Sequence, residues 1–133
     1  MSRSLAEMVD FYPTLAELAG VTPPASLSGV SLVSTLKNAD AQPRTSALTQ
    51  YDSGYSVRTE RYRYTEWGPG GSLGVELYDH QDDPQEMHNL GEKPESENVR
   101  KELSALLAQR IEDARQVPEG VTQIHFENRR RVP

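Results

Sequence analysis

The sequence predicts an α+β fold, in which a small antiparallel sheet of about four strands packs against a long C-terminal helix, preceded by one or two short helices. Three observations predict it. Short segments rich in Tyr, Val and Thr alternate between apolar and polar residues from 46 to 79. Their connections are short, which favours antiparallel pairing. An apolar stripe at helical spacing then runs through residues 94–117 and can cover one face of the sheet.

The N-terminal third is predicted to be helical. In SLAEMVDFYPTLAELAG the apolar residues recur at helical spacing, and Asp10 is a suitable N-cap. Because Pro13 then falls in the first turn, where proline is tolerated, we expect a helix from Phe11 to Ala19. Residues 1–9 are expected to end another element, such as a strand whose partners are missing. Ser31 is predicted to cap one or two further turns.

Four strands are expected after the polar loop 38–45. They are SALTQY (46–51), GYSVRT (54–59), YRYTEW (62–67) and VELYD (75–79). Glu60 and Arg61 lack the glycine or asparagine of a tight hairpin, so both a hairpin and a bent pair remain open there. Segment 68–74 is a glycine-rich connection, and turns are expected at 82–84 and 89–91.

The last helix is expected to begin near Pro94 and to end before Pro118 and Gly120. Its apolar stripe comprises Val99, Leu103, Leu106, Leu107, Ile111 and Ala114. The tail that follows alternates weakly and is expected to be an extra strand or an arm.

Composition excludes several classes of protein. The chain has 133 residues, no cysteine, and a net charge of −6 from 14 basic and 20 acidic residues. Disulfides, thiolate nucleophiles and zinc–thiolate sites are therefore excluded, and the acidic balance argues against nucleic acid as a partner. No apolar run approaches the length of a membrane span. The 35% of hydrophobic residues is low for a compact domain, as expected for a piece of a larger protein.

The stretch GYSVRTERYRYTEW predicts two different sheet faces, because strand side chains alternate. Tyr55 and Val57 share the face expected to pack on the long helix, and Arg58 lies on the opposite face. One interpretation makes that opposite face a solvated, charged surface. The other makes Arg58 a substrate-binding residue, since a guanidinium binds sulfate or carboxylate through two hydrogen bonds.

Other polar clusters carry no recognisable chemistry. His80 and His88 lie near Asp79, Asp82 and Asp83, but Pro84 occupies the position where a calcium loop needs glycine. We therefore interpret both histidines as turn residues. The glycines of 68–74 do not fit a phosphate-binding loop, and no serine-hydrolase motif is present. Residues 129–131 are expected to be a solvated tail or an arm for an acidic partner.

Three stretches together resemble sulfatases. VDFYPTLAELAG (9–20) followed by LSGVSLVSTL (27–36) resembles the end of the sulfatase catalytic domain. ELYDHQDDPQEMHNL (76–90) resembles the pattern E-L-Y-D, D-P-x-E, N-L of the same family. GYSVRTERYRYTEW is most similar to the iduronate-2-sulfatase branch. Order and spacing agree over roughly residues 5–117.

The resemblance implies an alkaline-phosphatase-like α/β enzyme of which this chain is the last piece. In the family a large N-terminal domain carries a formylglycine, made within C/S-x-P-S-R, and a calcium ion. The chain lacks that motif, so the resemblance implies no catalytic residue, metal ligand or cofactor within this sequence. The resemblance also implies that Leu77 and Tyr78 are buried anchors of a strand, that Asp83-Pro84 forms a turn, and that Leu90 covers the edge of the sheet.

The resemblance further implies a division of the chain and a set of partners. Residues 1–45 would end the catalytic domain, 46–117 would form the sheet–helix subdomain, and 118–133 would be a tail. The parent enzyme, usually exported in this family, would hydrolyse sulfate esters of a sulfated sugar or glycosaminoglycan uronate. The partners would be the missing N-terminal catalytic domain and that sugar, not nucleic acid or membrane.

Separated from the rest of the parent enzyme, the fragment would catalyse no reaction. Its exposed Phe11, Tyr12, Leu15 and Leu18 would lead either to self-association or to a disordered or rearranged N-terminal segment. The alternative is a stand-alone interaction or binding module without enzymatic activity.

Overall fold

The computed structural model describes residues 2–118 and residue 121. A 3-10 turn at Met8–Asp10 leads into helix α1 (Phe11–Leu18), and a short helix α2 spans Val33–Lys37. Four strands follow: β1 (Ala47–Tyr51), β2 (Gly54–Arg58), β3 (Tyr62–Trp67) and β4 (Gly74–Asp79). Helix α3 spans Glu97–Arg115 after a 3-10 turn at Pro94–Ser96. The predicted α+β class is confirmed.

The sheet is a meander in the order β1-β2-β3-β4, and every neighbouring pair is antiparallel. The connection at Glu60-Arg61 is a hairpin, because Arg58 pairs with Arg63 and Thr59 N donates to Tyr62 O at 2.8 Å. Arg61 folds back and donates two hydrogen bonds to Asp79, at 2.6 and 2.9 Å. Hydrogen bonds from side chains therefore stabilise this turn, which lacks the glycine or asparagine found in tighter hairpins.

The core lies between α3 and one face of the sheet. Val57, Tyr64, Leu77, Leu103 and Leu107 are its buried members. Burying each leucine stabilises the fold by about 1.5–3 kcal/mol. The predicted tyrosine-rich face on the long helix is confirmed, since Tyr55 and Tyr62 also pack against this core. Leu90 packs there as well, and its N–H donates to Leu77 O at 2.8 Å, so its predicted place at the sheet edge is confirmed.

The edge of β4 is closed by one asparagine side chain. Asn89 Oδ1 accepts hydrogen bonds from Leu77 N at 2.9 Å and Gly91 N at 2.8 Å, and its Nδ2 donates to Val75 O at 3.1 Å. An open strand edge would otherwise leave these groups free to pair with another chain. The Asn-Leu pair of the sequence pattern is thus part of the scaffold.

Several expectations in the N-terminal segment were wrong. No strand forms before residue 10 in the described part of the chain, where an irregular segment leads to the 3-10 turn. Asp10 stands at the start of α1 as predicted, but its carboxylate makes no capping hydrogen bond to that helix. It instead accepts from Glu7 N at 2.8 Å and Val30 N at 2.9 Å, and it is paired with Arg44.

Three further corrections concern the sheet–helix part. Tyr78 is not a buried anchor; it is only half-buried, on the sheet face away from α3. Ala114 is exposed, and α3 ends at Arg115 rather than at 117. The interpretation of the tail as a strand or arm, together with His125 and 129–131, lies outside the described residues.

Candidate functional site: the open sheet face

The sheet face away from α3 forms a shallow trough, and the strand register arranges its side chains in three rows. Each row crosses all four strands in the order β1, β2, β3, β4. The first row is Ala47, Arg58, Arg63 and Tyr78; the second is Thr49, Ser56, Thr65 and Glu76; the third is Tyr51, Gly54, Trp67 and Gly74. A groove of about 240 Å³ opens over the second and third rows and extends to Arg63, Tyr78 and Glu86. The trough therefore has a basic end, a floor of small hydroxyl residues and an aromatic end.

Arg58 lies in the first row beside Arg63 and is half-buried; Arg63 lines the groove, whereas Arg58 does not. Its Nη1 donates to the carbonyl oxygens of Thr59 and Tyr62, the latter at 3.3 Å, so it clips the β2–β3 hairpin. No carboxylate of the described residues pairs with it within 4.0 Å. Burial, together with the neighbouring charge of Arg63, lowers the pKa of Arg58. The predicted site residue is thus a half-buried cation with backbone partners only.

Glu86 links two groups beside Arg58. Its carboxylate is paired with Arg63 through one oxygen and with the His80 ring through the other. Burial lowers the pKa of His80, and the charges of Arg58 and Arg63 lower it further. The lowered pKa favours the neutral imidazole, whose Nε2 faces the Glu86 carboxylate. Glu86 itself has φ 57°, a left-handed conformation that is uncommon outside glycine and asparagine.

The floor of the trough is formed by hydroxyl groups that bond to each other. Thr65 Oγ1 donates to Ser56 Oγ at 3.0 Å, and Ser56 Oγ donates to Tyr64 O at 3.3 Å. Thr65 is 7% exposed, while Thr49 is open to solvent on the edge strand. Small side chains in this row keep the floor low between the larger residues of the flanking rows.

Trp67 forms a fixed aromatic surface at the other end. Its ring lies over Gly54, where an added Cβ would come within 2.6 Å of the indole carbons. Its Nε1 donates to Glu76 Oε1 at 3.1 Å. Tyr51, 76% exposed, lies in the same row. Glycine at position 54 is therefore required by the close approach of the indole, and the orientation of Trp67 is set before any ligand arrives.

The other polar residues selected from the sequence do not converge on a metal. Among residues 2–118, no group of three His, Asp or Glu side chains is arranged to hold one. His88 is exposed on a turn beside Asp83. The sequence contains no C/S-x-P-S-R motif, and the resemblance places the formylglycine and the calcium ion in the catalytic domain rather than in this chain. None of the described helices is long and apolar enough to cross a bilayer.

A second candidate surface is the apolar face of α1. Phe11, Tyr12, Leu15 and Leu18 are 53–64% exposed, with Met8 beside them at 78%. Soluble proteins usually cover a contiguous apolar patch of this kind with a partner. As the sequence predicts, these four side chains are left as an exposed apolar patch by the part of the chain that the structure describes.

Charged side chains hold the α1 segment against the sheet–helix layer. Glu7 Oε1 accepts from Leu48 N at 2.9 Å, from Arg44 at 3.1 Å and from Arg110 at 2.6 Å. This group of ion pairs, Glu7 and Asp10 with Arg44 and Arg110, is called the ionic clasp below. Gly29 passes so close to Val9 that a Cβ would lie 2.1 Å from its carbonyl oxygen. The clasp joins residues 103 positions apart, a distance over which the sequence gives no local signal.

Residues 1–113 match the family described as N-sulphoglucosamine sulphohydrolase, C-terminal. The chain belongs to this family and is a sulfatase C-terminal domain of the alkaline-phosphatase-like superfamily.

Individual relatives agree with this assignment. The chain is 36% identical over 109 residues to the Delta 4,5-hexuronate-2-O-sulfatase of Bacteroides thetaiotaomicron, covering 74% of this chain and 22% of the relative. It is 32% identical to mouse arylsulfatase K, covering 65% and 18%. A solved 2-O GAG sulfatase superposes with a TM-score of 0.67 at 32% identity, covering 82% and 26%. The chain thus spans a quarter or less of the length of the curated relatives it matches.

Proposed function

We propose that this chain is the non-catalytic C-terminal part of an enzyme that hydrolyses sulfate esters of a sulfated sugar or glycosaminoglycan uronate, with a scaffold role and a place at the mouth of the substrate site. The observation that carries the proposal is the match to 22% of a hexuronate-2-O-sulfatase by a chain that lacks the C/S-x-P-S-R motif. The nucleophile and the calcium ion would belong to the missing catalytic domain. Membership of the iduronate-2-sulfatase branch is part of the proposal.

Within that enzyme, residues 1–45 would complete the catalytic domain and 46–117 would form the subdomain beside it. The uncovered apolar face of α1 supports this arrangement, because its large side chains point away from the rest of the described chain. The catalytic domain would cover this face, while the ionic clasp would fix the angle at which the subdomain meets it. A stand-alone interaction module would use the same face for a different protein.

Arg58 is proposed to act at the boundary between this subdomain and the substrate. A half-buried guanidinium without an acidic partner among the described residues favours a carboxylate or sulfate supplied from outside the chain. Two sources are open: an acidic residue of the catalytic domain, for which Arg58 would be a strut, and the substrate itself.

Kinetics of Arg58→Ala in the full-length parent enzyme distinguish the two sources. Loss of a substrate contact should raise KM for a sulfated uronate more than for a small aryl sulfate. Loss of a strut should lower Tm and reduce activity on both substrates alike. Arg115→Ala, an exposed arginine at the end of α3, is the matched control and should leave every value unchanged. An Arg58→Ala enzyme equal to wild type in Tm and both KM values would remove Arg58 from the proposal.

A further inference from the structure

We propose that the trough on the open sheet face binds one acidic pyranose unit, with its carboxylate or sulfate at the basic end and its ring against Trp67. This inference rests on the proposed function, since it names the ligand that the sulfatase domain would present to the active site. It adds a sugar-binding surface built entirely from this chain. The inference is argued from the chemistry of the three rows of residues.

The basic end supplies a place for the anion. Arg63 lines the groove at this end, and Arg58 lies beside it in the same row, half-buried and bonded to backbone oxygens alone among the described residues. Glu86 neutralises Arg63 but does not pair with Arg58. An anion placed here would gain a charge-assisted hydrogen bond from a guanidinium that is already partly removed from water.

The aromatic end supplies a surface for the ring. The C–H face of a pyranose is apolar and packs on aromatic rings, which offer a large apolar area at low cost in side-chain freedom. Trp67 is suited to this role because Gly54 below it and the hydrogen bond to Glu76 fix the indole in one orientation. The exposed Tyr51 extends the aromatic row toward the sheet edge.

The spacing of the rows fits a single sugar. Arg63 and Trp67 lie four residues apart on β3, so the basic and aromatic rows are separated by about 13 Å along the strand, with the hydroxyl row midway at about 7 Å. A ring with its C–H face on the Trp67 indole would extend over the hydroxyl row and direct its acidic substituent toward Arg63 and the first row. Ser56 Oγ and the Glu76 carboxylate would then accept hydrogen bonds from the sugar hydroxyls, because the protons of Thr65 and Ser56 are already donated within the sheet.

The single tryptophan of the chain allows a direct test. Trp67 fluorescence of the 133-residue protein would be followed during titration with glucuronate, with glucose 6-sulfate, with neutral glucose and with sodium sulfate. We expect a saturable change with at least one acidic sugar, with a Kd on the order of a millimolar. Glucose and sodium sulfate should bind at least tenfold more weakly. The two acidic sugars decide whether the anion is a carboxylate or a sulfate ester.

Variants locate the binding. Arg58→Gln should weaken the acidic sugar at least tenfold, as expected for loss of a charge-assisted hydrogen bond. Because Arg58 also clips the hairpin, Arg63→Gln serves as a second variant at an exposed position and should weaken binding as well. Arg115→Gln removes an equal charge far from the trough and should have no effect.

Three outcomes would overturn the inference. They are the absence of any saturable change with both acidic sugars, equal binding of sodium sulfate, and an equal loss of affinity in Arg115→Gln. Hydrolysis by the full-length enzyme is a separate measurement. An active parent whose C-terminal chain shows no sugar binding would refute the trough while leaving the proposed function in place.

Discussion

Arg44 donates from Nε to Oδ2 of Asp10 at 2.6 Å, and the Asp10 side chain is completely buried. The two residues are 34 positions apart, so this pair joins the start of α1 to the entrance of the sheet. Asp10 also holds the loop at Val30 through its other oxygen. The pair therefore fixes the position of the α1 segment on the sheet–helix layer.

Replacing Asp10 is expected to destabilise the protein strongly. Asp10→Asn keeps the shape of the side chain but leaves the buried Arg44 with Glu7 as its remaining acidic partner. Removing one partner of a buried pair costs about 3–5 kcal/mol of unfolding free energy. Urea denaturation measures this loss of unfolding free energy. Asp40→Asn, at an exposed aspartate, is the control, and its unfolding free energy should stay within about 0.5 kcal/mol of the wild-type value. Equal midpoints for the two variants would show that the pair contributes nothing.

Stability is expected to fall in acid partly because of this same group. Burial would raise the pKa of Asp10, but hydrogen bonds from Arg44, Glu7 N and Val30 N outweigh it and hold the pKa below its usual value. The pKa of Asp79 is lowered by its hydrogen bonds from Arg61. A carboxyl with a depressed folded-state pKa stabilises the fold fully above its unfolded pKa, near 3.9, and loses that contribution as pH falls through the folded value.

Unfolding free energies at pH 7, 5, 4 and 3 test this dependence. Wild type should lose stability below about pH 4, and Asp79→Asn should show a shallower decline because it has one fewer proton to bind. Asp40→Asn should decline in parallel with wild type. Parallel curves for all three proteins would contradict the assignment of the acid sensitivity to the paired aspartates.

The apolar face of α1 is expected to cause self-association of the isolated chain. Leu15→Lys should shift sedimentation velocity toward monomer without lowering Tm, because Leu15 is 64% exposed and supports no core contact. Leu73→Lys, at an equally exposed leucine in the glycine-rich loop, is the control and should leave association unchanged. A wild-type chain that sediments as a monomer at high concentration would contradict the expectation.

The local part of the fold could be read from the sequence. Period-two alternation located the strands to within one or two residues, and the apolar stripe located α3. The register could not be read, because it depends on which residues the three turns bring opposite each other. For that reason Arg58 was found as a single candidate, whereas its row with Arg63 and the third row with Trp67 emerged only from the pairing.

Polar contacts between residues far apart along the chain could not be predicted from the sequence either. Asp10 precedes a helix, which is the pattern of an N-cap, yet its carboxylate is used by a distant arginine. Tyr78 was assigned to the core because it follows Leu77 in the sulfatase pattern. Alternation along β4 places adjacent residues on opposite faces, so only Leu77 can be buried against α3.

The central claim is that this chain is a sulfatase C-terminal domain that supplies no nucleophile. Sulfate release from a sulfated uronate disaccharide, measured by ion chromatography, tests it most directly when the purified chain is compared with the full-length parent. The account predicts release by the parent and none by the chain, with or without added calcium. Release by the repurified chain that disappears when one of its own residues is substituted would contradict it.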